Sequence, residues 1–278
     1  MTRGGRSRGV LTMVSRVSWE EIGKSKLDQG HETYTLNRPE VGVDIDKVEM
    51  LISFKLLGAH LVPGSFSDYK SLVEAVKLVD VVVCAISGVH IRSHNILLQL
   101  RLIEAIKEAG NFKFEFVVNE KYNEEAGIPF TYVSANCFAG YFVGGLCQFG
   151  KILPSRDSVV IHGDGNKKAI YAAEDDIATY TIKTIDDPRT LNKTLYLRPP
   201  KNILSQRQVV EKWEKLIGKE LYKITLSKED FLASMKGCST NFEIGEEGEE
   251  ASQLYPEVNI RQSKNTSSVM YSSIKFVS

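Results

Sequence analysis

The stretch Asp80–Ile86, with the sequence DVVVCAI, limits the possible folds more than any other part of the chain. A short unbroken apolar run of this kind is typical of a strand buried on both faces of a parallel sheet. Around it, strand-like and helix-like patterns alternate. Strands are predicted at His31–Leu36, His60–Val62, Phe112–Val118 and Phe130–Ser134, and helices at Asp44–Leu57, Asp68–Leu78 and Asn95–Ala109. This alternation predicts an α/β fold with a doubly wound parallel sheet.

The pattern changes after about Gly150. A turn at Asp164-Gly165 is followed by two amphipathic segments that begin with helix-capping residues, Ser205 and Ser227. These elements are expected to form a smaller domain beside the sheet. We therefore predict a nucleotide-binding sheet domain over 1–160 with a degraded first strand–helix unit, a smaller substrate-side domain over 161–258, and an aberrant tail over 259–278.

Composition excludes several classes of function. Lys and Arg together number 35, as do Asp and Glu, so the balanced charge argues against nucleic-acid or anionic-membrane partners. No apolar run approaches the length that spans a bilayer. The four cysteines form no C-x-x-C pair and none has a histidine at metal-ligand spacing, so we expect reduced, buried thiols and no metal site. A cytoplasmic protein is the resulting expectation.

Candidate binding residues follow the predicted carboxyl ends of three strands. Arg38 follows the second strand, Ser87 and Gly88 follow DVVVCAI, and Asn136 and Phe138 follow Phe130–Ser134. The carboxyl ends of parallel strands form the ligand crevice, and a guanidinium offers a fork to a phosphate. Each binding role has a structural alternative. Arg38 would be a solvated surface residue, Gly88 would serve a turn, and Phe138 would pack in the core.

Several longer segments carry a resemblance to a known family. They are HETYTLNRPEVGVDIDKVEML, SGVHIRSHNILLQL, AGIPFTYVSANCFAGYF, GDGNKKAIY and NFEIGEEGEEASQLYPEV. The chain resembles the plant NADPH-dependent reductases related to isoflavone reductase, which are NmrA-like, atypical short-chain dehydrogenases. The segment SGVHIRSHN favours the branch of that family that reduces lignans. The resemblance covers roughly residues 26–111, 126–235 and 237–258.

The resemblance implies a Rossmann-like fold and NADPH as cofactor. Arg38 and Lys47 match the basic residues that hold the 2′-phosphate of NADPH, and the loop with Asn136 and Phe138 matches the one against the nicotinamide and substrate. The implied reaction reduces small lignans, from pinoresinol to lariciresinol to secoisolariciresinol. The sequence leaves the oligomeric state open, with a homodimer as one option. The alternatives are a non-catalytic NADP-binding protein, or an isoflavone or phenylcoumaran benzylic ether reductase.

Three functional parts of the family pattern are missing. The place of the family's G-G-x-G-x-x-G phosphate loop reads MVSRVSWEEIGKS, in which only Gly23 remains. The central segment is shorter, and an ungapped count puts the catalytic lysine position on Phe116. Lys121 would replace that lysine only after a helix shift, so the catalytic residue is unknown. A block with a substrate-contacting histidine is absent within SMKGCSTNF.

Two stretches can be read as products of a shifted reading frame. An allowed codon series for Val17–Ser25, read one base later, gives YLGKRLVKA, which matches the end of the family's glycine loop and its first helix. An allowed series for Asn259–Ser272, read two bases later, gives YTTVEEYLKRYV and then a stop codon, which resembles the family's C-terminal helix. We therefore hypothesise a frame-slipped, partly skipped reading of a reductase gene with impaired or no activity.

This hypothesis predicts the nucleotide sequence of the transcript. Sequencing the transcript and the gene across Val17–Ser25 is expected to show YLGKRLVKA one base away, because the family's loop would survive in the other frame. A transcript that runs continuously through the VSWEEIGKS frame and has no family-like reading in the shifted frame contradicts the hypothesis.

Overall fold

The computed structural model describes residues 9–14, 31–37, 45–85, 95–110, 113–116, 127–148, 151, 153–227, 229–230 and 249–258. The strands are β1 Gly9–Val14, β2 Glu32–Asn37, β3 His60–Pro63, β4 Val81–Ala85, β5 Lys113–Phe116, β6 Phe130–Ser134, β7 Cys137–Phe138, β8 Ser158–His162, β9 Lys168–Ala172, β10 Lys193–Tyr196, β11 Ile203–Ser205, β12 Tyr222–Leu226 and β13 Glu249–Glu250. The helices are α1 Ile45–Leu56, α2 Tyr69–Val76, α3 Asn95–Ala109, α4 Ala139–Phe142, α5 Glu174–Thr184, α6 Gln206–Ile217 and α7 Ala251–Leu254.

The chain divides into two compact units. The first unit comprises Met1–Ser134 and Ala178–Leu195, and the second comprises Ala135–Ile177 and Tyr196–Ser278. The chain therefore enters the second unit, returns to the first and leaves it again. The domain bounds predicted from the sequence, with a division at residue 160, stay a prediction.

The first unit contains the predicted doubly wound sheet. Its strands lie side by side in the order β10-β6-β5-β4-β1-β2-β3. The pairs β6–β5, β5–β4, β4–β1, β1–β2 and β2–β3 are all parallel. Counted from the edge strand β3, the order is β3-β2-β1-β4-β5-β6. This order is typical of dinucleotide-binding folds, and the strand order reverses between β1 and β4. The predicted fold class is confirmed.

The central strand β1 comes from the part of the chain that departs most from the family pattern. Val10 and Leu11 are fully buried, and β1 pairs with β2 on one side and with β4 on the other. The Gly9 N–H donates to Asp80 Oδ2 at 3.0 Å, and the Asp80 N–H donates back to the Gly9 carbonyl at 2.8 Å. The buried Thr12 hydroxyl donates to the Tyr34 carbonyl at 2.9 Å. The segment GVLTMV thus fills the central position of the sheet.

Helices of the first unit follow the predicted patterns. Asp68 caps α2 by accepting from the Ser71 N–H, and Gly110 (φ +87°) ends α3 in the left-handed conformation that favours glycine. Helices α2 and α3 contribute their apolar faces to one core with β1 and β4. This core includes Leu11, Leu72, Val76, Leu102 and Ile106.

The second unit contains two small sheets. Their orders are β11-β9-β7 and β12-β8. The free edge of β8 is covered by two glutamine side chains. Gln148 accepts from the Val160 N–H and donates to its carbonyl, while Gln206 accepts from the His162 N–H and donates to the same Val160 carbonyl. These amides satisfy backbone groups that a neighbouring strand would otherwise pair.

Helix α6 anchors the second unit. Ser205 and Gln208 form a reciprocal capping box at its beginning, which confirms the predicted cap. Trp213 is buried, and its indole N–H donates to the Ser155 carbonyl at 2.8 Å. Ser227 accepts from the Asp230 N–H, as expected of a cap.

Two predicted absences concern metals and membranes. Among the described residues no group of three or more metal-ligating side chains occurs, and none of their helices has the length and apolarity to cross a bilayer. Cys84 and Cys137 are buried and Cys147 is half-buried, all as free thiols. Cys238 lies outside the described part of the chain.

Substitution of Leu11 tests whether GVLTMV is the central strand. Leu11→Ala is expected to lower the free energy of unfolding by about 3 kcal/mol, because it leaves a cavity at a fully buried position. Leu56→Ala is the matched control, since Leu56 is 82% exposed on α1 and its truncation should cost little. Urea unfolding of the three proteins gives the comparison. Equal stability of the Leu11 variant and wild type would show that the strand is formed by another segment.

Candidate functional site

The carboxyl edge of the first unit's sheet is the place where its fold can bind a ligand. Val14, the last residue of β1, stands opposite Ala85, the last residue of β4. Strand order reverses between these two strands, and ligands of open α/β sheets bind in the crevice outside such a reversal. This topology is the observation that fits a dinucleotide cofactor.

Several predicted site residues follow these strand ends but lie outside the described residues. Arg38 comes directly after β2, and Ser87 and Gly88 come shortly after β4. Lys121 also lies outside. Lys47 belongs to α1, although its side chain is not described. Their roles therefore stay predictions, and what the structure adds is the parallel alignment of the strands that precede them.

Asn136 is the best-defined of the predicted site residues. It follows β6 and has a φ of +56°, a left-handed conformation that asparagine tolerates better than most residues. Its Nδ2 donates to the Leu197 carbonyl at 2.6 Å. The side chain of Asn136 therefore fixes its own loop to the segment after β10, and this contact is a structural role that the sequence did not predict.

Phe138 lies in the same loop and is half-buried. It belongs to β7, where it stands opposite Ala172 of β9, and it is the residue before helix α4. Two residues further, the Gly140 N–H donates to both carboxylate oxygens of Glu174, at 3.0 and 3.3 Å. The loop with Asn136 and Phe138 is thus held at both ends.

Glu174 makes a structural contact that the sequence reasoning missed. A Cβ atom on Gly140 would lie 2.8 Å from Glu174 Oε1, so the glycine allows the carboxylate its close approach. The visible signal in the sequence was an acidic run, Glu174-Asp175-Asp176, at the start of a helix. Acidic residues in the first turn of a helix are ordinary, so nothing in the sequence linked Glu174 to the distant Gly140.

Two thiols, one of them within this loop, lie close to a phenol. The Cys147 thiol and the Tyr171 hydroxyl are 3.3 Å apart, and Cys137 adjoins them in the same core. Burial, with a smaller contribution from Cys147, raises the pKa of Cys137 to about 11. Burial also raises the pKa of Cys147 and that of Tyr171. The raised pKa values favour the protonated thiols, and the burial of Cys137 agrees with the predicted reduced, buried cysteines, whereas Cys147 is half-buried.

Comparison with known proteins places the chain in a family. The sequence model of the NmrA-like family matches residues 20–119 and 116–270, which together are most of the chain. The chain belongs to the NmrA-like family. Within it, the chain is 68% identical to a bifunctional pinoresinol-lariciresinol reductase of Forsythia intermedia, and the match covers 91% of this chain and 96% of the relative. A second such reductase, from Sinopodophyllum hexandrum, is 61% identical over 85% of this chain and 90% of the relative.

The alignment lengths also bear on the missing segments. The match to the Forsythia relative extends over 299 positions, although this NmrA-like chain has 278 residues. Positions of that relative therefore have no counterpart here. The predicted internal deletions are confirmed in this sense, while their individual places rest on the sequence comparison made above.

Solved structures confirm the fold of this NmrA-like chain. A structure described as AtPrR2 with NADP+ and (+)pinoresinol has a TM-score of 0.83 and 43% identity, and the match covers 97% of this chain and 99% of that chain. A structure from a study of pinoresinol-lariciresinol and phenylcoumaran benzylic ether reductases has a TM-score of 0.84 and 44% identity, with coverage of 95% and 98%.

The Glu174–Gly140 contact predicts a graded effect on stability. Glu174→Ala is expected to lower the free energy of unfolding by about 2 kcal/mol, because it removes a charged acceptor of a backbone N–H. Glu174→Gln keeps one acceptor oxygen and should recover most of that loss. Glu211→Ala, at an exposed position of α6, is the control. Chemical denaturation compares the four proteins, and equal losses for the Ala and Gln variants would argue against a role for the contact.

Proposed function

We propose that this chain is, by class, an NADPH-dependent reductase of plant lignans that acts on pinoresinol and lariciresinol. The observation that carries the proposal is the 68% identity to a reductase named for both substrates. It is supported by a fold that matches a structure solved with NADP+ and pinoresinol over nearly the whole chain. The isoflavone reductase alternative has less support, since the solved isoflavone reductase is 32% identical.

The roles of individual residues follow from the strand ends. Arg38 and Lys47 would hold the 2′-phosphate of NADPH, because a guanidinium and an ammonium attract it at the end of β2 and on the helix that follows. Ser87 and Gly88, after β4, would line the crevice. Asn136 and Phe138 would shape the nicotinamide and substrate side. When bound, NADPH supplies the hydride, and these residues supply position and electrostatics.

The missing lysine and glycine loop support a low rate of turnover. Phe116, to which the ungapped count assigns the lysine position, is the last residue of β5 and pairs with Tyr132 of β6. A strand residue without a titratable group cannot assist phenol deprotonation. With the glycine loop also replaced, we propose that the chain turns over far more slowly than its relatives. A non-catalytic NADP-binding protein is the second candidate, and the missing lysine favours it. A cytoplasmic location and a homodimer are further proposals.

Turnover measurements test this proposal. Incubation of the purified chain with NADPH and pinoresinol is expected to form lariciresinol at a rate near background, because the phosphate loop and the general base are missing. Chromatography of the products gives the rate, with the Forsythia intermedia reductase as positive control. Rapid lariciresinol formation that Lys121→Ala abolishes would contradict the low rate and would identify Lys121 as the base.

Cofactor titration separates the remaining candidates. Quenching of protein fluorescence by NADPH, with weaker quenching by NADH, supports an NADP-binding chain even when turnover is absent. Arg38→Ala should then reduce the preference for NADPH, because it removes a partner of the 2′-phosphate. No binding of either cofactor would exclude both the reductase and the non-catalytic NADP-binding protein.

A further inference from the structure

Helix α4 begins with a residue that cannot cap it. Phe138 is the N-cap residue of α4, and its side chain makes no capping hydrogen bond. The N-cap position favours Ser, Thr, Asp or Asn, because the side-chain oxygen of these residues accepts from a free N–H of the first turn. A phenylalanine ring has no such acceptor. The first turn of α4 therefore depends on an acceptor from another part of the chain.

Glu174 supplies that acceptor. Its carboxylate accepts from the Gly140 N–H at 3.0 and 3.3 Å. Gly140 is the second residue of α4, whose N–H is one of those that an N-cap side chain usually binds. Glu174 is the first residue of α5 and lies 34 positions further along the chain. The cap of α4 thus comes from a different helix, and the absence of a side chain at Gly140 gives the carboxylate its room.

The chain before Phe138 is fixed as well. Asn136, in its left-handed conformation, donates to the Leu197 carbonyl at 2.6 Å. Phe138 itself stands opposite Ala172 in the parallel pair of β7 with β9. All of these residues, and Glu174 and Gly140 with them, belong to the second compact unit. The backbone around Phe138 is therefore held on both sides by contacts within one unit.

This arrangement is more elaborate than the cap of a short helix requires. A serine or an aspartate at position 138 would cap α4 without help from a distant residue. Where a chain departs from such a local rule and compensates elsewhere, the departure is expected at a functional position. Phe138 is half-buried, so part of its surface is accessible. An aromatic ring offers a large, rigid apolar surface, and pinoresinol carries two aromatic rings of its own.

We propose that Glu174 is a positioning residue for lignan binding. Its carboxylate caps α4 in place of residue 138, which leaves the N-cap position to an aromatic ring that packs against a ring of the lignan. This inference rests on the proposed function, which assigns the loop of Asn136 and Phe138 to the substrate side. Glu174 acts through this loop and not by contact with the ligand. Loss of its carboxylate releases the start of α4, and the cost of ordering the loop again then weakens lignan binding.

Equilibrium binding tests the inference without turnover. Calorimetric titration of pinoresinol into the purified chain with NADP+ is expected to show about tenfold weaker binding for Glu174→Ala than for wild type, the range of one hydrogen bond. Glu174→Gln keeps an acceptor oxygen and should recover most of this affinity. The affinity for NADP+ alone should be equal in the three proteins, because the residues proposed for the 2′-phosphate belong to other segments.

A matched control separates positioning from stability. Ser205→Ala removes the cap of α6, which lies in the same unit, and leaves the loop of Phe138 intact. It should lower the free energy of unfolding, as loss of a cap does, without a change in the affinity for pinoresinol. Urea unfolding followed by circular dichroism compares the stability of all variants. If Glu174→Ala does not fold, Glu174→Asp gives the test, because its carboxylate is one methylene group further from Gly140.

A double-mutant cycle tests whether Glu174 acts through the ring of Phe138. Phe138→Leu is expected to weaken pinoresinol binding, and the addition of Glu174→Ala should then weaken it little further, because the ring through which Glu174 acts is already gone. Phe138→Ser introduces a local cap. Combined with Glu174→Ala, it should restore the stability lost in the single Glu174→Ala variant and yet leave pinoresinol binding as weak as in Phe138→Leu.

The outcomes distinguish the two proposals. Absence of pinoresinol binding to the wild-type chain refutes the proposed function, and the inference falls with it. Binding that is equal in wild type, Glu174→Ala and Phe138→Leu refutes the inference alone. Additive losses in the double-mutant cycle also refute it, since they would show that Glu174 and Phe138 act independently.

Discussion

A doubly wound parallel sheet requires a strand at its centre, because the strands on either side would otherwise present unpaired backbone groups inside the core. In this chain β1 fills that place between β2 and β4. Its residues, Gly9–Val14, adjoin the stretch that the shifted frame explains, yet Val10 and Leu11 are fully buried. Six apolar or small extended residues are enough for the role, since parallel pairing uses the backbone and the core asks mainly for apolar volume.

The requirement for a phosphate loop is stricter than the requirement for a strand. A central strand tolerates many apolar sequences, whereas a loop that cradles a pyrophosphate needs glycines at fixed places for close approach of its N–H groups. The general base is likewise less tolerant of substitution than the strands of the sheet. Phe116 is paired in the sheet as the last residue of β5, but it cannot replace a lysine. A chain of this kind therefore keeps its fold more readily than its catalysis.

The loop after β6 shows how contacts between distant residues fix a segment of the second unit. Asn136 is fixed to Leu197, Gly140 is fixed to Glu174, and β7 pairs with β9 between them. None of these contacts joins residues that are close in sequence. The partners come from α5 and from the segment after β10, which lie 34 and 61 positions away along the chain.

Sequence patterns predicted the described elements of the first unit well. The bounds of α3 agree with the prediction, and the caps Asp68 and Ser205 form as expected. These features depend on residues within one turn of each other, and for that reason a local pattern reveals them. The predicted sites at Arg38, Lys47, Ser87, Gly88 and Lys121 depend on segments or side chains that the structure does not describe, so they stay predictions.

By itself, the sequence determined the alternation of strands and helices, the burial of Val81–Cys84 within DVVVCAI, the expectation of reduced thiols and the resemblance to the reductase family. Only the tertiary structure decided that GVLTMV occupies the centre of the sheet, that two glutamines cover the edge of β8, and that Glu174 and Leu197 hold the loop of Asn136. The physical reason is the separation along the chain between the residues that interact. Periodicity and capping act between neighbours along the chain, whereas these contacts join residues from about 12 to more than 70 positions apart, and their partners are chosen by packing.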